Sequence, residues 1–223
     1  MTKITDYASL QDTIGNYLDR KDLNSEIPTF IQLCEASMNR ILRSQDLLCV
    51  GQSVGWRTDV IVPLPTDYAE MRNVTLVLGM DNPDDPGQLI DGEKCQATYQ
   101  PPDVIDQLSE VNPDFNPRDR VHYTFRAGNI EIWPDPGVQF RLELEYYQKV
   151  GLTEANPVNI VLLNDPDIYL YGSLIHSAPY LRDDPRLMVW SKLYDEAVGA
   201  KTGSSEKALH SGSRLTRKNA ARM

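Results

Sequence analysis

Four aspartates crowd one short polar stretch and are the first candidates for chemistry in this chain. They are Asp81, Asp84, Asp85 and Asp91, in and just after the segment DNPDDPG. Calcium takes clustered oxygen ligands, so one interpretation is a cation site, or the centre of a metal-dependent hydrolase. Their spacing does not follow the ligand pattern of an EF-hand loop, however. We therefore favour a solvated acidic loop and expect no bound metal.

The three histidines offer little acid–base or metal chemistry. His122 falls in a predicted strand, His176 in a predicted helix and His210 near the end of the chain. Each is better explained as a packing or surface residue than as a ligand. The motifs GxxxxGKS/T, GxGxxG, GxSxG and HExxH are absent, as is any CxxC pair. We expect neither enzymatic activity nor a cofactor.

Charge is the remaining chemical asymmetry. The formal net charge is −10, but residues 201–223 carry six basic residues and one glutamate, so the first 200 residues carry −15. An acidic body repels nucleic acid. The basic end could bind an acidic protein groove or a phosphate backbone, or it could be a solvated, disordered terminus. Its last four basic residues are Arg214, Arg217, Lys218 and Arg222.

The elements that would position these residues start with residues 165–198, which predict two helices. Two Asp-Pro dipeptides, at 165–166 and 184–185, are matching start signals. Aspartate can cap the first N–H groups of a helix, and proline fits the first helical position. Apolar residues follow at spacings of three and four, and the face of the first helix is predicted to reach Leu181. The short link between the two helices predicts an antiparallel pair.

Two more helices are predicted near the start of the chain, at about 7–18 and 26–43. Thr5 or Asp6 could cap the first helix, and Ser25 could cap the second. The second has an apolar seam with spacings of three and four, formed by Ile27, Ile31, Cys34, Met38 and Ile41. These helices would cover the pair at 165–198 and complete a four-helix bundle built from both ends of the chain.

Between the helices the hydrophobic period changes from 3.6 to 2, which predicts an inserted β domain. Strands are predicted at 56–62, 73–78, 120–126, 130–133 and 138–147, with a short helix at 101–110. Ala127-Gly128-Asn129 is a hairpin signal. The last strand alternates strictly, which predicts one buried face and one wet face.

The prediction is therefore an α+β protein of four segments. Residues 1–47 and 151–198 form the two halves of the helical bundle, 48–150 the antiparallel β domain, and 199–223 an extended basic tail. Glycines and serines beyond Val198 favour this extension. No apolar run approaches the roughly 20 residues of a membrane span. The first residues lack the apolar core of a signal peptide, so we expect an intracellular protein.

Four stretches in this order resemble the head–tail adaptor, or connector, proteins of tailed bacteriophages, especially short-tailed phages (podoviruses). They are LNSEIPTFIQLCEASMNRILR at 23–43, VPLPTDYAEMRNVTL at 62–76, GNIEIWPDP at 128–136, and the long segment 142–198. Each stretch is a structural motif, and together they span most of the chain. Residues 80–100 and the tail after Val198 match least.

The resemblance implies a structural virion protein of the neck or tail, assembled in the cytoplasm of the host bacterium. It implies a ring of about twelve copies around the DNA exit channel, between the portal protein and the tail nozzle or tube, with tail fibres as further candidate partners nearby. DNA would pass through without specific binding. The tail would order along the portal, and Arg214, Arg217, Lys218 and Arg222 would pair with portal carboxylates.

Other functions stay open at this point. The basic tail could make the chain a DNA-binding or packaging accessory module, which salt-dependent DNA binding would favour. The acidic loop could serve a metal-dependent hydrolase, which metal-induced stabilisation and turnover would support. A connector of a long-tailed phage would fit the same sequence features. We rank the ring-forming adaptor first and the enzyme last.

Overall fold

The computed structural model describes residues 3–52, 55–85, 87–111, 120–181 and 184–210. The chain divides into two compact units, one of Met1–Leu47 with Val150–Met223 and one of Leu48–Lys149. Within the described residues the fold is α+β, with six α-helices and one curled sheet of seven strands. The helices are α1 (Tyr7–Leu18), α2 (Ile27–Ile41), α3 (Pro102–Val111), α4 (Ile160–Asn164), α5 (Pro166–His176) and α6 (Arg186–His210).

Helix α5 is the centre of the first unit and packs against α1, α2, α4 and α6. It is apolar on nearly every side, and Ile168, Tyr169 and Leu174 are fully buried. A helix that is hydrophobic all round belongs inside a core rather than on a surface. The four-helix bundle predicted from the sequence is not confirmed, because the described helical unit has a fifth helix, α4, which also packs against α5.

The contact between α5 and α2 is very close at Gly172. A Cβ atom built on this glycine would overlap Cys34 Sγ of α2 and would lie 2.9 Å from Tyr194 Cε2 of α6. No side chain larger than hydrogen fits there unless a neighbour moves. Gly172 therefore allows three helices to meet at one point of the core.

The predicted helix starts have mixed outcomes. Asp6 caps α1 as expected, because its carboxylate accepts the N–H of Ser9 and the Ser9 hydroxyl accepts the N–H of Asp6. Asp184 also behaves as expected, since its Oδ1 accepts the N–H of Arg186 at 2.9 Å. The prediction for Ser25 is wrong, because α2 begins after Glu26 without a side-chain cap.

Asp165 was also expected to cap a helix, and that prediction is wrong. Its side chain accepts no N–H from α5, although the following proline stands in the first turn as predicted. Asp165 comes directly after α4, a helix that the sequence pattern did not predict, and its carboxylate bonds to Lys201. A charged partner thus outcompetes the local backbone N–H groups for this carboxylate.

Two other helical predictions need correction. Helix α5 ends at His176, before a 3-10 turn at Ala178–Tyr180, so its face does not reach Leu181. Pro179 explains this end, because proline disfavours helix in the residue before it and supplies no N–H. The extended tail predicted from residue 199 is wrong for residues 199–210, which continue α6 through His210.

The second unit contains α3 and the whole sheet. Its strands are β1 (Leu48–Gln52), β2 (Ile61–Pro63), β3 (Tyr68–Asp81), β4 (Leu89–Tyr99), β5 (Val121–Arg126), β6 (Asn129–Trp133) and β7 (Phe140–Gln148). Their order in the sheet is β1-β7-β3-β4-β5-β6-β2. The predicted strand at 56–62 is shorter than expected, and β1 and β4 were not predicted.

The sheet curls because one short stretch of chain forms strands at both of its edges. Strand β1 pairs with β7, and β2 pairs with β6 at the opposite edge. Between them, Arg57 exchanges two backbone hydrogen bonds of 2.8 Å with Phe140, the first residue of β7. Strand β1, Arg57 and β2 therefore draw the two edges of the sheet toward each other, which lets its inner face enclose a core.

One pairing departs from the predicted antiparallel domain. Strands β4 and β5 run parallel, with Ala97 opposite Val121 and Tyr99 opposite Tyr123. Helix α3 lies between them in sequence and packs against β5. Parallel neighbours need such a crossover, whereas a short turn suffices for antiparallel ones.

The two clearest β predictions are confirmed. Strands β5 and β6 form the expected hairpin, and Ala127 and Gly128 at its turn have φ angles of 47° and 77°. In β7 the residues at alternate positions are buried as expected, namely Phe140, Leu142, Leu144 and Tyr146. Val138 precedes this strand and is exposed, contrary to the prediction.

Candidate interaction surfaces

The four basic residues proposed to bind a portal, Arg214, Arg217, Lys218 and Arg222, lie outside the described residues. The described chain ends with α6, the helix that precedes them. How α6 is held is therefore the structural question closest to that prediction.

Near its end, α6 is fixed by Lys201. The Lys201 side chain is only 5% exposed, and its Nζ lies 2.5 Å from Asp165 Oδ2. The same Nζ donates to Asp46, which lies in the 3-10 turn Gln45–Leu47. Asn164 donates a further, longer hydrogen bond of 3.4 Å to Asp46. One ammonium group thus joins three elements of the helical unit, and we call this group the Lys201 cluster.

The electrostatics of the Lys201 cluster favour the charged forms. Burial by itself would lower the pKa of Lys201, but the hydrogen bonds to Asp165 and Asp46 outweigh it, so the pKa is raised. The hydrogen bond from Lys201 lowers the pKa of Asp46. Both shifts mean that the ion pair is formed at neutral pH.

Ser205 adds a second anchor on the same face of α6, one helical turn beyond Lys201. Its hydroxyl accepts the backbone N–H of Gln45 at 2.5 Å, and the residue is buried. Residues at i and i+4 are neighbours on a helix surface. Lys201 and Ser205 therefore form one polar contact between α6 and the turn at Gln45–Leu47.

The start of α6 has its own anchor in Arg186. The guanidinium binds both carboxylate oxygens of Asp184 and donates to the Tyr17 carbonyl of α1 at 3.0 Å. It also lies 5.2 Å from the centre of the Trp190 ring. Helix α6 is therefore held near both ends.

Between these anchors, α6 exposes an apolar patch. Met188 is 81% exposed and Val189 is 56% exposed, and they share a shallow groove with Leu193. Lys192 and Glu196 line the same groove and form an ion pair of 3.8 Å. Neighbouring apolar residues at such exposure are typical of protein contact surfaces.

A polar clamp on α2 holds the chain where it re-enters the helical unit. Asn39 Nδ2 donates to the Val150 carbonyl at 2.9 Å, and Asn39 Oδ1 accepts the Val150 N–H at 2.8 Å. One turn earlier, Glu35 accepts the Leu152 N–H at 2.6 Å and the Tyr169 hydroxyl at 3.3 Å. Burial raises the pKa of Glu35. These two side chains fix residues 150–152, which we call the return segment, on α2.

The outward face of the sheet carries ion pairs between strands β4 and β7. Asp91, one of the four clustered aspartates, is paired with Arg141. Lys94 Nζ lies 2.7 Å from Glu143 Oε1. Val77 of β3 is paired with Lys94 on one side and with Arg141 on the other, and it is fully buried. Among the described residues, no group of three His, Cys, Asp or Glu side chains could hold a metal ion.

The described histidine side chains are packing residues. His122 stacks on Trp133 with ring centres 5.9 Å apart, and burial lowers its pKa. His176 lies at the end of α5, and burial also lowers its pKa. These two residues are in different units. The His210 side chain lies outside the described part of the chain.

Comparison with known families places these surfaces in context. The sequence model of the SU10 adaptor protein family matches residues 5–218, which is most of the chain. The chain belongs to the SU10 adaptor family. This assignment makes it a phage structural adaptor, as the resemblance implied, with partners among capsid and tail proteins and a place in the virion. No protein with a curated description matches the adaptor.

Two further observations concern the adaptor as a whole. Across the described residues, none of the helices combines the length and the apolar character of a membrane-spanning segment. Sequence reasoning missed the residues that hold α6 and the return segment, namely Lys201, Ser205, Glu35 and Asn39. Their partners are distant in sequence, so no local pattern indicated them.

Proposed function

We propose that the adaptor joins the head and the tail of a short-tailed phage as a closed ring of about twelve copies. In this proposal one side of the ring binds the portal protein and the other receives the tail nozzle or tube, and tail fibres attach nearby. The family match over residues 5–218 is the observation that carries the proposal.

Portal attachment is assigned to the basic end of the chain. Arg214, Arg217, Lys218 and Arg222 form a group without an acidic neighbour after residue 206. Arginine pairs with carboxylates through two parallel hydrogen bonds, which suits an acidic groove on a partner. Assembly would take place in the cytoplasm of the host bacterium.

The charge of the body supports passage of DNA. A net charge of −15 on the first 200 residues repels a phosphate backbone, so DNA could slide through the ring without specific binding. The apolar patch of Met188, Val189 and Leu193 supports protein contacts of the helical unit. Neither feature requires catalytic chemistry.

Light scattering tests the proposal directly. The mass of the purified adaptor is measured alone and after mixing with the portal protein of the same phage, at moderate salt. We expect a large complex with the portal, whether or not a ring forms beforehand. An adaptor that stays monomeric with the portal but binds DNA in a salt-dependent manner would favour the alternative, a packaging accessory that acts through its basic end.

A further inference from the structure

The end of α6 is helical in spite of its sequence. Residues 199–205 read GAKTGSS, with two glycines, a threonine and two serines. Glycine is among the poorest helix formers, and serine and threonine are weak ones. A Cβ atom added at Gly199 or Gly203 would meet no other atom within 4 Å, so close packing does not explain either glycine.

Tertiary contacts supply what the local sequence lacks. Lys201 and Ser205 are the two buried residues of this stretch, at 6% and 7% exposure. Both reach the turn at Gln45–Leu47, Lys201 through Asp46 and Ser205 through the Gln45 N–H. A helix of poor formers is stable only where such packing holds it.

We propose that the Lys201 cluster is a positioning device for the partner-binding end of the adaptor. It keeps residues 199–210 helical and so fixes the point from which Arg214 and the following basic residues reach the portal. This inference rests on the proposed attachment through those basic residues.

Chain length gives the expected size of the effect. Residues 199–210 are helical in the structure, so they add no flexible length before Arg214. If the helix instead ended near Val198, the flexible chain before Arg214 would be longer by these twelve residues. The effective concentration of a tethered group falls as its flexible tether lengthens, so portal affinity should drop by roughly several-fold.

The test uses the full-length adaptor and the portal protein of the same phage. Lys201→Met is combined with Asp46→Asn and Asp165→Asn, so that no carboxylate is left without its cation. Lys21→Met is the matched control, because Lys21 is an exposed lysine of the same helical unit and lies outside α6 and its apolar patch. Portal affinity is measured together with the rate of tryptic cleavage after Lys207.

We expect the triple variant to be cleaved faster after Lys207 and to bind the portal several-fold more weakly, whereas Lys21→Met changes neither. Faster cleavage with unchanged affinity would overturn the positioning role while leaving the proposed function intact. Unchanged cleavage would show that the cluster does not hold the helix, and it would overturn the inference as well.

A second variant separates the inference from the proposed function. Replacing Arg214, Arg217, Lys218 and Arg222 by alanine leaves the Lys201 cluster untouched and should abolish portal binding. If this variant binds like the wild type, the proposed portal contacts are wrong, and the positioning role falls with them.

Discussion

Replacing Gly172 by alanine is the sharpest test of the packing in the helical unit. In an unconstrained helix this change stabilises by about 1 kcal/mol, because alanine is the better helix former. Here the added methyl group would overlap Cys34 Sγ and would lie 2.9 Å from Tyr194 Cε2. Overpacking of a close-packed core costs about 1–3 kcal/mol.

The steric term should win, because Cys34 is fully buried and its sulfur would have to be displaced within a close-packed core. We expect Gly172→Ala to lower the free energy of unfolding by up to about 2 kcal/mol after the gain in helix propensity is included. Urea unfolding followed by circular dichroism at 222 nm measures this change.

Gly203→Ala is the matched control, because Gly203 is also helical and a methyl group there meets nothing within 4 Å. This variant should be more stable than the wild type by up to about 1 kcal/mol.

A double variant identifies the cause. Combining Cys34→Ala with Gly172→Ala removes the overlapping sulfur, so the two changes together should cost less than the sum of their separate effects, by more than about 0.5 kcal/mol. A Gly172→Ala protein as stable as Gly203→Ala would refute the close approach of α2 and α5.

Three further predictions concern charged groups. Burial raises the pKa of Glu35, so the wild type loses stability as pH rises above the ordinary value of 4.5. Glu35→Gln cannot ionise, and its urea midpoint relative to wild type should rise between pH 4.5 and 7, whereas Glu35→Ala should cost about 1–3 kcal/mol through unpaired donors. The pKa of Asp46 is lowered by Lys201, so its stabilisation is present at neutral pH and is lost as pH falls below 3.8. Asp46→Asn should therefore make the urea midpoint at pH 7 differ less from the urea midpoint at pH 3. Arg141→Gln should cost at most about 1 kcal/mol, since its partner Asp91 is substantially exposed; a larger loss would contradict this account of the outer face.

Local patterns predicted the elements whose causes are local. Helix α1 spans Tyr7–Leu18 as predicted, because its cap and its apolar stripe lie within the helix itself. The β5–β6 hairpin was predictable because its turn contains Gly128, which accepts a positive φ angle without steric cost. The buried face of β7 followed from strict alternation.

The failures occur where a distant charge decides the local structure. Asp165 looks like a helix cap, yet Lys201, 36 residues later, holds its carboxylate. Residues 199–210 look like a flexible extension, yet Asp46 lies 155 residues before the lysine that secures them. In β4 the outward residues Asp91 and Lys94 form ion pairs with Arg141 and Glu143 of β7. These polar residues hide the alternating apolar pattern of a strand, so β4 was not predicted.

Sequence reasoning about the candidate site is only partly tested by the structure. The family match shows that the protein is a structural adaptor. The basic residues from Arg214 onward lie outside the described part, and their role stays a prediction. The anchor that precedes them could not be predicted, because a lysine among glycines and serines looks like part of a solvated basic tail.

Lys201 also changes which basic residues of the adaptor are free to bind a partner. In the sequence it belongs to the basic end, but in the structure it pairs with two carboxylates of the helical unit and is almost completely buried. A partner cannot bind this ammonium without breaking both ion pairs. Breaking them would leave the two carboxylates without their cation, which is strongly destabilising. In the proposed attachment through the basic end, an acidic partner would therefore be recognised by basic residues beyond the cluster, from Lys207 to Arg222. The lysine nearest to the body thus has a structural partner on both sides, and the proposed portal contacts fall to the charges that follow it.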